Sequence, residues 1–474
     1  MREDDNLPRE VEEWLEEDDL TLQQEKTTLR GDTRDDGIQL TGSGNVQYTG
    51  IVQEKAYLIG LNLQSGTTGE EETERSLEEL AELAEACGAQ VLGASYQNRQ
   101  SVDVATYIGK GKLEEIAEEA ESLGCNTLIF DDELSGSQLR NIQELTKFKV
   151  LDRTLVILDI FARRATSKEG KLQVELAQYE YRLGRVRLIN ESMDRLGGGI
   201  GSRGPGESQL ETDRRHVRER ITKLRRTLKS VSKRREDRRN KRNDLGQTTV
   251  AVVGYTNAGK STLINQLTEA DLFTMDQVFA TLDASLRDLR LPDGSHVMLV
   301  DTVGFIRKLP HQLVEAFHST LEEVSDADMI MHVLDVSDPE REKQVEIVEA
   351  ELVRLGAAEK PRVLVLNKVD LLEDPDDEKF LHERQVPSHF RVHRVSATEE
   401  IGFAELLNSI AEMLAYRQKS YTLDLPYKES TLYAYIKDHG NLLEEDFQGE
   451  GMHLKFNLDK RLSGPVERYL RDHS

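Results

Sequence analysis

Apolar and polar positions divide the chain into blocks of different period. After residue 50, apolar runs at 56–61, 90–94, 127–130 and 149–151 predict strands. Between them, helical spacing recurs over 71–87 (Leu77, Leu80, Leu83, Ala84), 112–123 and 135–146. This alternation predicts a small α/β domain over 51–165. A different pattern follows at 166–245. Leu172, Leu176, Tyr179, Leu183 and Val186 are spaced four, three, four, three, and so are Val217, Ile221, Leu224, Leu228 and Val231. These are two heptad seams. The stretch 197–206 between them, with six glycines and Pro205, cannot continue a helix. Two antiparallel helices with a Gly-rich tip are expected, preferably as a projecting probe. A 30-residue helix would reach roughly 45 Å.

Residues 246–418 return to strand and helix alternation, with apolar runs at 249–253, 297–300, 329–334, 363–366 and 392–395. This reads as a doubly wound sheet with its ligand at the carboxyl ends of the strands. Residues 419–474 predict a small α+β domain: a strand, a helix after Lys428, two strands about Gly449 and Gly451, and a helix from Leu458. Residues 1–50 are acidic early, then rich in Thr, Gly and Gln, and are expected to form a disordered tail.

Composition adds boundaries. With 62 Lys and Arg against 88 Asp and Glu, the net charge of −26 argues against nonspecific nucleic-acid binding by the whole molecule. The charge is uneven, however. From 214 to 243 there are 15 Lys and Arg against 3 Asp and Glu, or +12, which marks a local contact with a polyanion. Cys87 and Cys125 are the only cysteines, too few for a zinc site and typical of a reducing compartment. No run approaches the roughly 18 apolar residues of a membrane span, and the first residues lack a signal pattern. A cytoplasmic location is expected, with partial membrane association left open.

The chemistry begins at Gly254-Tyr255-Thr256-Asn257-Ala258-Gly259-Lys260-Ser261, followed by Thr262. It fits G-x-x-x-x-G-K-[ST] between a predicted strand and a predicted helix. Its backbone N–H groups can cradle a polyphosphate, Lys260 can reach the β- and γ-phosphates, and Ser261 can ligate Mg²⁺. Asp301-Thr302-Val303-Gly304 follows another strand. Asp301 suits Mg²⁺ held through water, and Gly304 can offer its N–H to the γ-phosphate. Asn367-Lys368-Val369-Asp370 supplies a carboxylate for guanine N1–H and its exocyclic amine, a donor pair that adenine lacks. Lys368 can pack over the base. Ser396-Ala397-Thr398 can cover the guanine carbonyl from the backbone. A turn at a strand end is the plain alternative for each tetrapeptide alone; in this order the motifs resemble translation-factor-type GTPases. The order leaves Phe279-Ala280-Thr281-Leu282-Asp283 as the first switch, with Thr281 a second Mg²⁺ ligand and Thr302 or Ser285 as its competitors.

Phe305 follows Gly304 where Ras-like GTPases carry a water-orienting Gln. No catalytic base is assigned, and slow hydrolysis awaiting a partner is expected. Gly109-Lys110-Gly111-Lys112 reads as a structural turn more readily than as a phosphate site. His311, His318 and His332 have no partners at metal spacing.

A larger resemblance surrounds these motifs. Residues 106–112 (Thr106-Tyr107-Ile108-Gly109-Lys110-Gly111-Lys112), Asp152-Arg153-Thr154, 170–177, 201–215 and 301–323 look like the HflX GTPases, over about residues 51–420. The carboxyl-terminal region resembles the extra domain of some members; the acidic tail lies outside the pattern. The resemblance implies a P-loop GTPase that binds GTP and GDP with Mg²⁺, acts on the large ribosomal subunit and its RNA, and splits or rescues stalled ribosomes under stress. It implies that the hairpin tip approaches the peptidyl transferase centre. Gly199, Ile200 and Arg203 at the tip, with Arg214 and Arg215 on the basic helix, are the RNA-contact candidates, and a monomer is the simplest state. Two other readings compete: an ATP-dependent RNA-remodelling protein using the amino-terminal domain, and a nucleotide-gated scaffold for a protein partner.

Overall fold

The computed structural model describes residues 38–40, 46–48, 53–63, 67–196, 205–244, 246–268, 279, 285–308, 318–372, 390–449 and 451–473. Strands β1 (Ile38–Leu40) and β2 (Val46–Tyr48) pair antiparallel by themselves, within the segment expected to be mostly disordered. Two short runs of alternating apolar and polar residues suffice for that ladder. The disorder expected for 1–37 lies outside the described residues.

The amino-terminal domain runs β3 (Lys55–Asn62), α1 (Thr67–Ala86), β4 (Gln90–Asn98), α2 (Lys110–Ser122), β5 (Thr127–Phe130), α3 (Gly136–Thr146), β6 (Lys149–Asp152) and α4 (Arg153–Arg164). Its sheet is parallel, in the order β4-β3-β5-β6. Alternate residues of β3 serve opposite faces. Ala56 and Leu58 pack with α1 and α4, while Tyr57, Ile59 and Leu61 pack with α2 and α3. Ser135 and Gln138 close a capping box on α3, and Asp152 caps α4 through the N–H of Leu155. Sequence periodicity missed α4. Thr154, Val156, Ile157, Leu158, Ile160 and Phe161 are all buried, and the polar face is narrow, carried by the Asp159–Arg163 pair.

Helices α5 (Lys168–Leu196) and α6 (Pro205–Asp244) pair along Leu172, Leu176, Ile221 and Leu224, flanked by Tyr179, Leu183, Val217, Leu228 and Val231. A connection of only eight residues makes the pair antiparallel. Arg220 pairs with Glu175 at 2.7 Å and Arg225 with Glu180 at 2.8 Å. The pair departs from a free-standing probe at its base. Val174, Ala177 and Tyr181 join the core beneath α1 and α4, and Tyr181 and Arg185 both bind Asp152. The expected tip, 197–204, lies outside the described residues.

The nucleotide domain comprises β7 (Thr248–Gly254), α7 (Lys260–Thr268), β8 (Ser285–Arg290), β9 (His296–Asp301), α8 (His318–Asp326), β10 (Met329–Asp335), α9 (Arg341–Arg354), β11 (Arg362–Asn367), β12 (Phe390–Arg394) and α10 (Phe403–Leu414). The strand order is β12-β11-β10-β7-β9-β8, parallel except for β8. This is the doubly wound sheet expected. Sequence reading missed β8, an edge strand whose polar residues mostly face outward. One face of the sheet packs on α7 and α10, and the other shares a core with α1 and α4 of the amino-terminal domain.

The last domain has β13 (Gln418–Pro426), α11 (Ser430–His439), β14 (Asn441–Gln448), β15 (Gly451–Asp459) and α12 (Gly464–His473), with antiparallel order β13-β15-β14. Its final helix begins at Gly464, not Leu458. Leu458 and Asp459 complete β15, and the Asp459 side chain then caps the tight turn at 460–462. Arg461 reaches the Gly246 carbonyl at 3.0 Å, at the foot of α6. Among the described residues, no helix is long and apolar enough to cross a membrane.

Candidate nucleotide site

The site lies at the carboxyl ends of β7, β9, β10 and β11. After β7 the chain turns through Asn257, at φ +62°, and Gly259, at φ +87°, before α7 begins at Lys260. A Cβ on Gly259 would stand 2.3 Å from Asn367 Nδ2, so both backbone and space require glycine there. The buried Lys260 folds back to donate to the carbonyls of Gly254 (3.1 Å) and Tyr255 (2.7 Å). Burial pushes its ammonium down to about 8, with Asp301 opposing.

Ser261 Oγ donates to Asp301 Oδ2 at 3.0 Å. A hydroxyl and a carboxylate thus meet beside the cradle, a hard oxygen pair of the kind Mg²⁺ takes. Thr302 is not available as a ligand: its hydroxyl is buried and donates to the Val252 carbonyl at 2.6 Å. Ser285 opens β8 opposite Asp301. Thr281, with Ala280, Leu282 and Asp283, lies outside the described residues; Phe279 is buried.

The base motif is tied directly to the cradle. Asn367 Nδ2 donates to the Ala258 carbonyl at 2.9 Å, and Asn367 Oδ1 accepts the N–H of Ala397 at 3.1 Å. One buried side chain therefore joins three of the expected motifs. Lys368 takes φ +64° and pairs with Asp335 at 2.6 Å. Val369 is buried and Asp370 is exposed on the following tight turn. Ser396 Oγ lies 3.1 Å from Thr398 Oγ1 and accepts the N–H of Glu399, which shapes that loop. Thr262 is half-buried in the first turn of α7, and Val303 is buried beside Gly304.

Phe305 is buried, its side chain in the core shared with the amino-terminal domain. Its backbone pairs with the cradle: Phe305 N–H donates to Gly254 O (3.1 Å), and Thr256 N–H donates to Phe305 O (2.8 Å). The ring therefore turns away from the place of a water-orienting glutamine.

Three family models match successive stretches: "GTP-binding GTPase N-terminal" at 74–162, "GTP-binding GTPase Middle Region" at 164–242 and "50S ribosome-binding GTPase" at 249–368. GTPase HflX of Caldanaerobacter subterraneus is 46% identical over 400 residues, covering 84% of this chain and 91% of its own. The chain belongs to the HflX family of GTPases. GTPase HflX of Escherichia coli K12 is 42% identical, covering 75% of this chain and 83% of its own. A crystal structure of a GTP-binding protein from Sulfolobus solfataricus in complex with GDP covers 77% of this chain and 99% of its own, at 27% identity and a TM-score of 0.41. The resemblance drawn from residues 106–323 is thus borne out, and the chain is an HflX GTPase.

Sequence reasoning missed the contacts between this HflX site and the amino-terminal domain. Arg307 and Lys308, just beyond Phe305, pair with Glu340 and with Asp131 and Asp132 respectively. Arg153, fully buried, bridges Asp131 (2.7 Å) and Glu79 (3.1 Å). The motif Asp152-Arg153-Thr154 is therefore a helix cap beside a buried ion pair. Gly109 caps α2, its N–H bound by Gln97, while Lys110 and Lys112 pair with Glu114 and Glu115. His332 faces Glu349 at 3.7 Å, His318 opens α8, and His311 lies outside the described residues. Among the described residues, no cluster suits a metal held by His, Cys, Asp and Glu alone.

Proposed function

We propose that this HflX GTPase is a Mg²⁺-dependent switch of the large ribosomal subunit, which it helps to split or rescue under stress in the cytoplasm. The observation that carries the switch is the Asn367 side chain, which holds the base motif, the phosphate loop and the Ser396–Thr398 loop in one register. Gly254 to Thr262 would bind the phosphates, Asp370 the guanine edge, and Ser396 to Thr398 the guanine carbonyl. Phe279 to Asp283 and Asp301 to Gly304 would be the switches. Ser261 and Thr281, with Asp301 through water, would hold Mg²⁺. The ion would neutralise charge between the β- and γ-phosphates. GTP would order the switches and hydrolysis would release them.

The ribosomal partner is supported by the matched description, "50S ribosome-binding GTPase", and by the chemistry of α6. Arg215, Arg218, Lys223, Arg225, Arg226 and Lys229 lie on one helix and reach solvent. Such a row suits phosphate backbone and makes binding salt-dependent. Gly199, Ile200 and Arg203 would contact RNA from the tip, with Arg214 and Arg215 beside them. At the Gly109–Lys112 turn, the Gly109 N–H is bound by Gln97, and Lys110 and Lys112 stand beside Glu114 and Glu115 on the domain surface.

Sedimentation with purified large ribosomal subunits tests the proposal. With a non-hydrolysable GTP analogue the chain should co-sediment, and GDP or higher salt should release it. Sedimentation that ignores the nucleotide would contradict a switch.

A further inference from the structure

Tyr255 does more than a phosphate cradle requires. Its carbonyl belongs to the cradle, yet its ring turns away and is only 6% exposed. The hydroxyl donates to Glu79 Oε1 at 2.9 Å and accepts the N–H of Arg307, also at 2.9 Å. Burial, then the Glu79 charge, raises the phenol's pKa, so the group stays a protonated donor. Glu79, on α1, is itself held by Arg153 at 3.1 Å.

Arg307 lies three residues beyond Gly304, and the segment between is fixed at successive points. The Phe305 N–H and carbonyl are bound by Gly254 and Thr256. The Arg307 N–H is bound by the Tyr255 hydroxyl. Lys308, at φ +53°, sends its ammonium to Asp131 and Asp132. Gly304 consequently presses on the cradle: a Cβ there would be 2.9 Å from Lys260 Nζ and 3.0 Å from Thr256 Cα. A phenylalanine at 255 would fill the same volume and leave the Arg307 amide without this acceptor.

We propose that Tyr255 is a positioning residue for recognition of the GTP γ-phosphate: its hydroxyl, oriented by Glu79, sets Gly304 to Arg307 at the γ-phosphate end of the cradle. Glu79 belongs to the amino-terminal domain, so that domain has a direct hold on the switch. The inference rests on Gly254 to Ser261 being the phosphate cradle.

The test is equilibrium binding of fluorescent GDP and of a fluorescent non-hydrolysable GTP analogue to the full chain. In Tyr255→Phe the ratio of triphosphate to diphosphate affinity should fall about three- to tenfold, the worth of one hydrogen bond. Glu79→Ala should shift the ratio in the same direction. Glu79→Gln, which keeps an oxygen acceptor for the hydroxyl, should stay within about twofold of the parent. A purely structural role would weaken both nucleotides equally, and that result overturns the proposal. A raised ratio overturns it too, because the strap would then block the cradle. Should Tyr255→Phe fail to fold, Glu79→Ala decides by the same ratio. If the parent chain binds neither nucleotide, the cradle reading itself fails.

Discussion

The ring of Phe279 meets the ring of Phe161 edge-on, with centroids 4.7 Å apart and planes at 72°. Phe161 lies on α4 of the amino-terminal domain, and Phe279 begins the expected first switch. Phe279 holds φ +58°, a conformation a bulky residue rarely adopts without surrounding support. The fully buried Phe161 ring supplies part of that support. Phe161→Ala should lower unfolding stability by about 3–5 kcal/mol, measured by urea denaturation. Adding Phe279→Ala should cost less than the separate effects summed, by about 0.5–1.5 kcal/mol. Strict additivity would show that the domains are not coupled here.

Asp370 tests base recognition. It stands exposed on the turn after β11, while its neighbour Asn367 is locked to the phosphate loop. Asp370→Asn exchanges an acceptor for a donor amide. GTP affinity should fall about a hundredfold or more, and xanthine nucleotide should gain, because xanthine carries a carbonyl where guanine has its amine. An unchanged guanine preference in nucleotide competition would remove Asp370 from the site.

Glu349 predicts an acid limb of stability. Burial alone would raise its pKa, but the neighbouring His332 and the Arg362 guanidinium bonded to it hold the carboxyl down to about 2, from 4.5. A depressed folded pKa means that the folded state favours the charged form. The contribution is therefore complete above about pH 4.5 and is lost as pH falls toward 2. Glu349→Gln should be less stable at neutral pH and should flatten that part of the stability–pH curve. An identical acid limb in the variant would locate the titration elsewhere.

What could be read from the sequence depended on the range of the interaction. The expected phosphate loop is a run of eight residues whose glycines and lysine would serve one ligand, so its spacing is legible locally. The seam from Leu172 to Leu183 is likewise periodic within one helix. Tyr255 and Glu79 are 176 positions apart, and Lys308 and Asp131 are 177. No local pattern records such pairs. Helix α4 hid for another reason: it is buried along most of its surface, and its polar face is narrowed to the Asp159–Arg163 pair. Strand β8 hid because its edge position leaves it polar. The family resemblance identified Asp152-Arg153-Thr154 without explaining it; the cap on Leu155 and the ion pairs to Glu79 and Asp131 supply the reason.

Phe305 is buried and brings no water-orienting amide to the expected switch at Asp301 to Gly304, so a partner is expected to complete hydrolysis. GTP turnover with and without purified large ribosomal subunits tests this most directly. Turnover should be slow for the chain alone and rise at least about tenfold with subunits, and that rise should be lost when residues 197–206 are deleted, with GTP binding kept. Equal turnover with and without subunits would contradict it.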